Sequence, residues 1–319
     1  MRRPAASPLA MVGAGAVSVQ FGAAFATKLF DHVGPLGAVT LRLGIAALVL
    51  VGFGLFRRAG PEKPPPRRRD LAVAVAFGLV LAGMNLCFYE AISRIPLGAA
   101  VTIEFSGPLA VALAGSRRWL DGLWAAMAGT GVALLATGGG RRLEPGGVGL
   151  AALAGAFWVA YILLSKQTGS RFDTRRGLAI AMVTGAVVLL PGGLVSGGGR
   201  LLSPYVLGLG ALVAMLSSVV PYSLELIALR RVTPRAFGVM LSLDPGVAAL
   251  AGLAVLGQQP GARELAAMGL VIGANLGNSL TGRAGVIEAA VQPVSPGEES
   301  GPGAHEHDES ERGGVGEPR

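Results

Sequence analysis

Ten mainly apolar stretches, each close to the roughly 20 residues a helix needs to cross a bilayer, follow one another along this chain. They run over residues 9–27, 35–56, 71–92, 96–115, 121–138, 148–167, 177–195, 204–229, 235–256 and 263–281. The connections are short and hold helix breakers: Gly34-Pro35, Pro64-Pro65-Pro66, Gly138-Gly139-Gly140, Gly197-Gly198-Gly199 and Thr233-Pro234. No soluble fold buries so many consecutive apolar segments. The expected architecture is an all-α membrane protein with ten transmembrane helices.

Composition agrees. Charged residues make up 14% and hydrophobic residues 52%, whereas a soluble domain is about 25% charged. The 50 glycines suit a membrane bundle, where small residues let helices approach closely without a hydrophobic drive from lipid. A single cysteine, Cys87, lies in an apolar run and leaves no disulfide framework within the chain; it reads as a small packing residue. The formal charge of +8 does not indicate a nucleic-acid partner, because the basic residues sit at the edges of apolar runs and no zinc-finger or basic–aromatic pattern occurs.

Those edge charges set orientation. With the N-terminus in the cytoplasm, the inner segments carry 18 Lys and Arg and the outer ones 6, the bias expected of short cytoplasmic loops. Both termini are therefore expected inside, in a multi-pass protein of the cell's inner or plasma membrane. Arg2-Arg3 ahead of an apolar run ending Ala24-Phe25-Ala26 also has the look of a secretory signal. The run is long for one, however, and cleavage would leave an odd number of spans. From Val286 onward the chain is rich in Gly, Pro, Ser and Glu and is expected to be disordered. His305-Glu306-His307-Asp308 in that tail could touch a metal; a solvated polar tail is the simpler reading.

A shift of 137 residues lays 91–115 over 228–252 with eight identities, among them Arg94/Arg231 and Pro108/Pro245. It carries the fourth span onto the ninth. Five spans is an odd number, so the two halves enter the membrane in opposite directions. The expected organisation is a first five-span repeat at 1–138, a connecting loop at 139–147, a second, inverted repeat at 148–283 and a tail at 284–319. Inverted repeats recur in secondary transporters, with the substrate site near the midplane between halves.

Charges inside the spans point to such a site, since ionisable groups at membrane depth are costly. VTIEFSGPLAVAL (101–113) holds Glu104 with no basic residue beside it in sequence. Glu104 lies about eight residues, or roughly 12 Å, below the outer end of its span. Arg42 lies at a similar depth in the second span. The two are expected to face one cavity and either pair or share a substrate, or else simply to tie two helices together. Asp244 directly precedes Pro245 in the ninth span, and Pro108 follows Glu104 in the fourth, so a proline kink is expected near each carboxylate. Glu90 and Glu225, beside Arg94 and Arg230, read as local ion pairs, and Lys28 and Lys166 as snorkelling cations. Asn85, Tyr89, Trp158, Tyr161, Tyr222 and Asn275 are candidates for a polar path, or for packing and interfacial anchoring.

No phosphate loop, HExxH or GxSxG is present, so neither an ATPase module nor an enzyme is indicated, and no cofactor or metal is expected. Transport would run on a substrate or ion gradient, with proton coupling through a membrane carboxylate as one route.

IPLGAAVTIEFSGPLAVALAGSRRWLDGLW (95–124), FWVAYILLSKQTG (157–169) and SSVVPYSLELIALRRVTPRAFGVMLSLDPGVAALAGLAVLG (217–257) closely resemble the threonine/homoserine exporters. These form part of the EamA-like branch of the drug/metabolite transporter superfamily. The resemblance covers about residues 10–282. It implies ten helices in two inverted halves and export of small amino acids or related polar metabolites; efflux of cationic drugs is the alternative. It also implies that Glu104, Glu225 and Arg42 match family positions, with Asp244 standing where Glu is commoner. The family usually carries an acid after the ninth span's Leu-Gly, where this chain has Gln258-Gln259. An amino acid offers an ammonium and a carboxylate, so Glu104 could meet the first and Arg42 the second, with Asp244 as the third polar group of the site.

Overall fold

The computed structural model describes residues 8–56, 67–114, 118–137, 143–171, 174–221, 224 and 232–281. Every regular element among them is helical. The expected loops at 57–66 and 138–142, the tail, and the side chains of Lys166, Tyr222, Glu225 and Arg230 lie outside the described residues.

The first element, α1, runs Pro8–Phe56, which as one straight helix would span about 74 Å, more than twice a bilayer's hydrocarbon core. It is broken at Gly34, whose φ of 68° and ψ of 170° are not helical. A side chain is rarely accommodated there; a Cβ on Gly34 would also stand 2.7 Å from Ser196 Oγ. Pro35 then opens the second segment, where its missing N–H leaves no bond unmade. Ser196 Oγ donates to the Val33 carbonyl at 2.7 Å, satisfying a group the break sets loose. The first segment is longer than the expected 9–27, since helix continues to the break. The Lys28 ammonium lies 5.9 Å from the centre of the Phe25 ring.

The remaining elements are α2 (Arg68–Ile92), α3 (Leu97–Ala114), α4 (Trp119–Ala136), α5 (Pro145–Arg171) and α6 (Thr174–Gly197), which ends in a 3₁₀ turn at Gly198–Leu202. Then come α7 (Pro204–Ala214), running into a π turn at Met215–Val219, and α8 (Pro234–Leu241), α9 (Asp244–Leu256) and α10 (Ala262–Thr281). Among the described residues, six stretches are long and apolar enough to cross a membrane: Pro8–Gly52, Arg68–Ile92, Trp119–Ala136, Pro145–Ser165, Gly177–Leu202 and Ala236–Leu256. Leu97–Ala110 and Pro204–Val219 are shorter apolar helices.

Proline acts differently in the fourth and ninth spans. α3 continues through Pro108 as one helix. The stretch expected as the ninth span breaks at the turn Ser242–Leu243 between α8 and α9, and Asp244-Pro245 starts a new helix. Proline at the first turn costs no hydrogen bond, and a carboxylate there meets the positive end of the helix dipole.

α2 packs on α5 and α6, α3 on α5 and α9, α4 on α10, and α1 on α6, α7, α8 and α9. Small residues make these approaches possible. A Cβ on Gly107 of α3 would stand 2.5 Å from the Gly155 carbonyl oxygen of α5, and one on Gly155 would stand 2.6 Å from the Glu104 carbonyl oxygen. Ala24, Ala38, Ala82, Ala100 and Ala151 fill the core. Large apolar side chains such as Leu48, Val187 and Leu250 point outward and are exposed, as on helices that face lipid.

Candidate functional site

Arg42, the first candidate residue, lies on the second segment of α1 and is only 8% exposed. Its Nε donates to Ser218 Oγ at 3.3 Å, its Nη2 to the Ser217 carbonyl at 2.9 Å and its Nη1 to the Tyr89 hydroxyl at 3.4 Å. The guanidinium carbon lies 5.6 Å from the centre of the Tyr89 ring, close enough for a cation–π contribution. Tyr89 is fully buried on α2, flanked by Phe30 and Phe88.

The acceptors on the far side come from the π turn. An α-helix commits each carbonyl to the N–H four residues on; a π turn displaces that pattern and frees acceptors. At membrane depth such groups must find other partners. Here Ser18 Oγ, on the first segment of α1, donates to the Leu216 carbonyl at 2.7 Å, and Arg42 donates to that of Ser217. Gly22 allows the approach: a Cβ there would clash with the Ser217 hydroxyl. Ser217 and Ser218 are both buried.

Glu104 is half-buried on α3 and lies within electrostatic reach of both Arg42 and Asp244. Asp244 is 7% exposed at the start of α9. Three helices thus bring a guanidinium and two carboxylates into one electrostatic neighbourhood. Among the described residues, the guanidinium's partners are the serine pair and Tyr89, and no direct salt bridge joins it to Glu104.

Other candidates are placed as follows. Asn85 and Asn275 are buried and each donates to the carbonyl four residues back on its own helix, at 2.8 Å to Leu81 and 3.0 Å to Val271. The Tyr161 ring packs 5.1 Å from that of Phe77, and Trp158 sits edge-on to Phe105 at 4.6 Å. Glu90 does pair with Arg94, at 3.2 Å, and Arg94 also reaches Glu144 at 3.6 Å.

A cavity of about 620 Å³ opens at the end of the bundle where α2 meets α3, α4 approaches α5 and α9 meets α10. Gly98, Ala249 and Met268 line its wall and Arg94, Glu144, Gln258 and Arg263 its mouth. Arg263 is committed to the Leu134 carbonyl and the Thr137 hydroxyl, each at 3.0 Å. Gln258 caps a helix. Gly257, at φ 66°, ends α9 and turns the chain, and Gln258 Oε1 then accepts the Leu97 N–H of α3 at 3.0 Å. It satisfies one of the orphan donors of a helix start. Sequence reasoning gave no role to Ser18, Ser217, Ser218 or the cap made by Gln258. Paired hydroxyls in an apolar run were the available signal for the serines.

The EamA-like transporter family matches residues 7–137 and again residues 145–280. The threonine/homoserine exporter RhtA of Escherichia coli (strain K12) is 37% identical over 284 residues, covering 88% of this chain and 94% of the exporter. RhtA of Salmonella typhimurium (strain LT2) is 38% identical over 266 residues, covering 83% and 88% respectively. An uncharacterized inner membrane transporter of E. coli K12, YedA, is 25% identical over 82% of this chain and 88% of its own length. A protein crystal structure at 21% identity overlays 86% of this chain and 99% of its own with a TM-score of 0.55, a likeness of fold alone. The chain belongs to the EamA-like transporter family, and its apolar helices are those of a multi-pass membrane transporter.

Proposed function

We propose that this protein is a secondary exporter of small amino acids of the threonine/homoserine kind, or of closely related polar metabolites. The single observation that carries the reading is that Arg42, Glu104 and Asp244 lie on three helices of an apolar bundle, Glu104 within electrostatic reach of the other two, without a direct Arg42–Glu104 pair among the described residues. A guanidinium and two carboxyl groups suit a zwitterion: Arg42 faces the carboxylate, Glu104 the ammonium, and Asp244 adds to the acidic side. Identity to the RhtA exporters over most of the chain supports the substrate class.

The architecture that goes with this function is ten spans in two inverted halves, both termini cytoplasmic. Spans one and two are the segments of α1 before and after Gly34; α8 and α9 together make the ninth. Two observations support the inversion. The family matches twice, over consecutive halves. Packing also recurs under exchange of the halves: α4 lies on α10, and contact of the third span with the sixth and seventh, at Gly83–Phe157 and Gly78–Ala181, is mirrored by the eighth on the first and second, at Leu216–Ser18 and Ser217–Arg42. Glu104 and Asp244 are the carboxylates able to carry a proton if export is coupled to the proton gradient. The cavity at the Arg94–Gln258 end is the outer vestibule in this orientation.

The test is counterflow of labelled L-threonine and L-homoserine in vesicles of purified protein. Saturable exchange supports the proposal. Exchange of organic cations but of no amino acid, unaffected by Arg42→Gln, would overturn it in favour of cation efflux.

A further inference from the structure

We propose that the π turn Met215–Val219, together with Tyr89, is a positioning device that presents Arg42 as a two-pronged receptor for a carboxylate. The inference rests on the reading of Arg42 as the substrate's carboxylate partner and names what gives it that ability. A guanidinium has five N–H donors in a rigid fork. Among the described residues three are committed: Nε to Ser218 Oγ, Nη2 to the Ser217 carbonyl and Nη1 to the Tyr89 hydroxyl. Counting partners among the described residues, one N–H remains on each terminal nitrogen, and these two can serve the two oxygens of a carboxylate. Nε and Nη2 are both held by consecutive residues of one turn, so rotation of the head is blocked on that side. The Tyr89 ring and hydroxyl restrain it on another.

The turn itself is held open from outside. Ser18 donates to the Leu216 carbonyl and Gly22 admits the Ser217 hydroxyl. The geometry of the eighth span, the register of the first and the direction of Arg42 on the second are therefore set together. A head already desolvated and oriented binds without the ordering cost that a free arginine would incur. Ser218 and Tyr89 are positioning residues that act through Arg42.

Counterflow of labelled L-threonine with purified Ser218→Ala and Tyr89→Phe proteins in vesicles tests this, with unlabelled L-threonine or L-threoninamide as competitor. The amide keeps the ammonium and loses the carboxylate. In each variant KM for threonine is expected to rise about five-fold with maximal rate within about two-fold, and preference for the acid over the amide to fall in step. Tyr89→Phe keeps the ring and its packing, so it reads out even if Ser218→Ala folds poorly. Unchanged KM and preference in these variants, or a fall in maximal rate alone, overturns the inference. If Arg42→Gln meanwhile loses acid preference, the carboxylate reading of Arg42 stands without it. If Arg42→Gln keeps that preference, the reading and the inference both fall.

Discussion

The Arg42 Nη2 donates to the Ser217 carbonyl at 2.9 Å, across 175 residues of chain. The bond joins the proposed second and eighth spans, one from each half of the molecule, at the place where the eighth leaves α-helical geometry. A charged side chain thus completes a backbone that an apolar neighbour would leave short of a donor, which gives Arg42 a structural role beside its proposed role toward substrate.

Arg42→Gln is expected to reduce amino-acid counterflow by about ten-fold or more, since a buried charge-assisted contact contributes on that scale. Arg42→Lys restores charge but not the fork, and is expected to stay within about two-fold of the Gln variant. Initial rates in vesicles, normalised to folded protein, check both.

Glu104→Gln keeps the shape of the side chain and removes its charge. Export is expected to fall about ten-fold, the size of a ~1.4 kcal/mol contact, with the thermal midpoint of the purified protein close to wild type. Asp244→Asn is the companion: it keeps the shape and gives up the dipole contribution of a first-turn carboxylate, so stability is expected to fall by no more than about 1 kcal/mol while transport weakens. A large loss of thermal stability in Glu104→Gln with normal transport per folded molecule would show the carboxylate to be structural.

The α3–α5 contact rests on two glycines. Gly107→Ala or Gly155→Ala puts a methyl group against backbone carbonyls that cannot move aside, and each is expected to destabilise by about 1–3 kcal/mol. Gly129→Ala, with nothing within 4 Å, is the neutral control. Thermal unfolding in detergent checks the difference. Gly155→Ala is also expected to slow transport, because the atom it strikes is the carbonyl of Glu104.

Gln258 separates a capping role from a gating one. Gln258→Ala leaves the Leu97 N–H without its acceptor and is expected to cost about 1 kcal/mol. Gln258→Glu keeps the oxygen and adds a charge that the start of α3 favours, so stability and counterflow are both expected to match wild type or exceed it. Loss of transport in the Glu variant would mean that neutrality at this position matters for gating rather than for the cap.

Much of this protein was written in its sequence because membrane burial is a local demand. Each apolar run, its flanking arginines and its glycine–proline breaks announce a helix wherever they occur, and Gly34-Pro35 divides α1 as those residues require. The three charged side chains were legible for the same reason: a charge in an apolar run stands out without reference to any neighbour. The different fates of Pro108 and Pro245 were not legible, since both precede apolar helix and only the surrounding bundle decides whether the chain breaks before them.

Sequence alone therefore determined the apolar helices and marked Arg42, Glu104 and Asp244 as charges inside them, consequences of the cost of placing polar groups in hydrocarbon; the burial of Asp121 emerged only in the tertiary structure. Tertiary structure decided which way Arg42 points, that Ser18 and Arg42 complete a π turn far along the chain, and that Gln258 closes the start of α3. Those are matters of satisfying individual donors and acceptors across helices, and the partner of a hydrogen bond is chosen by where distant segments meet.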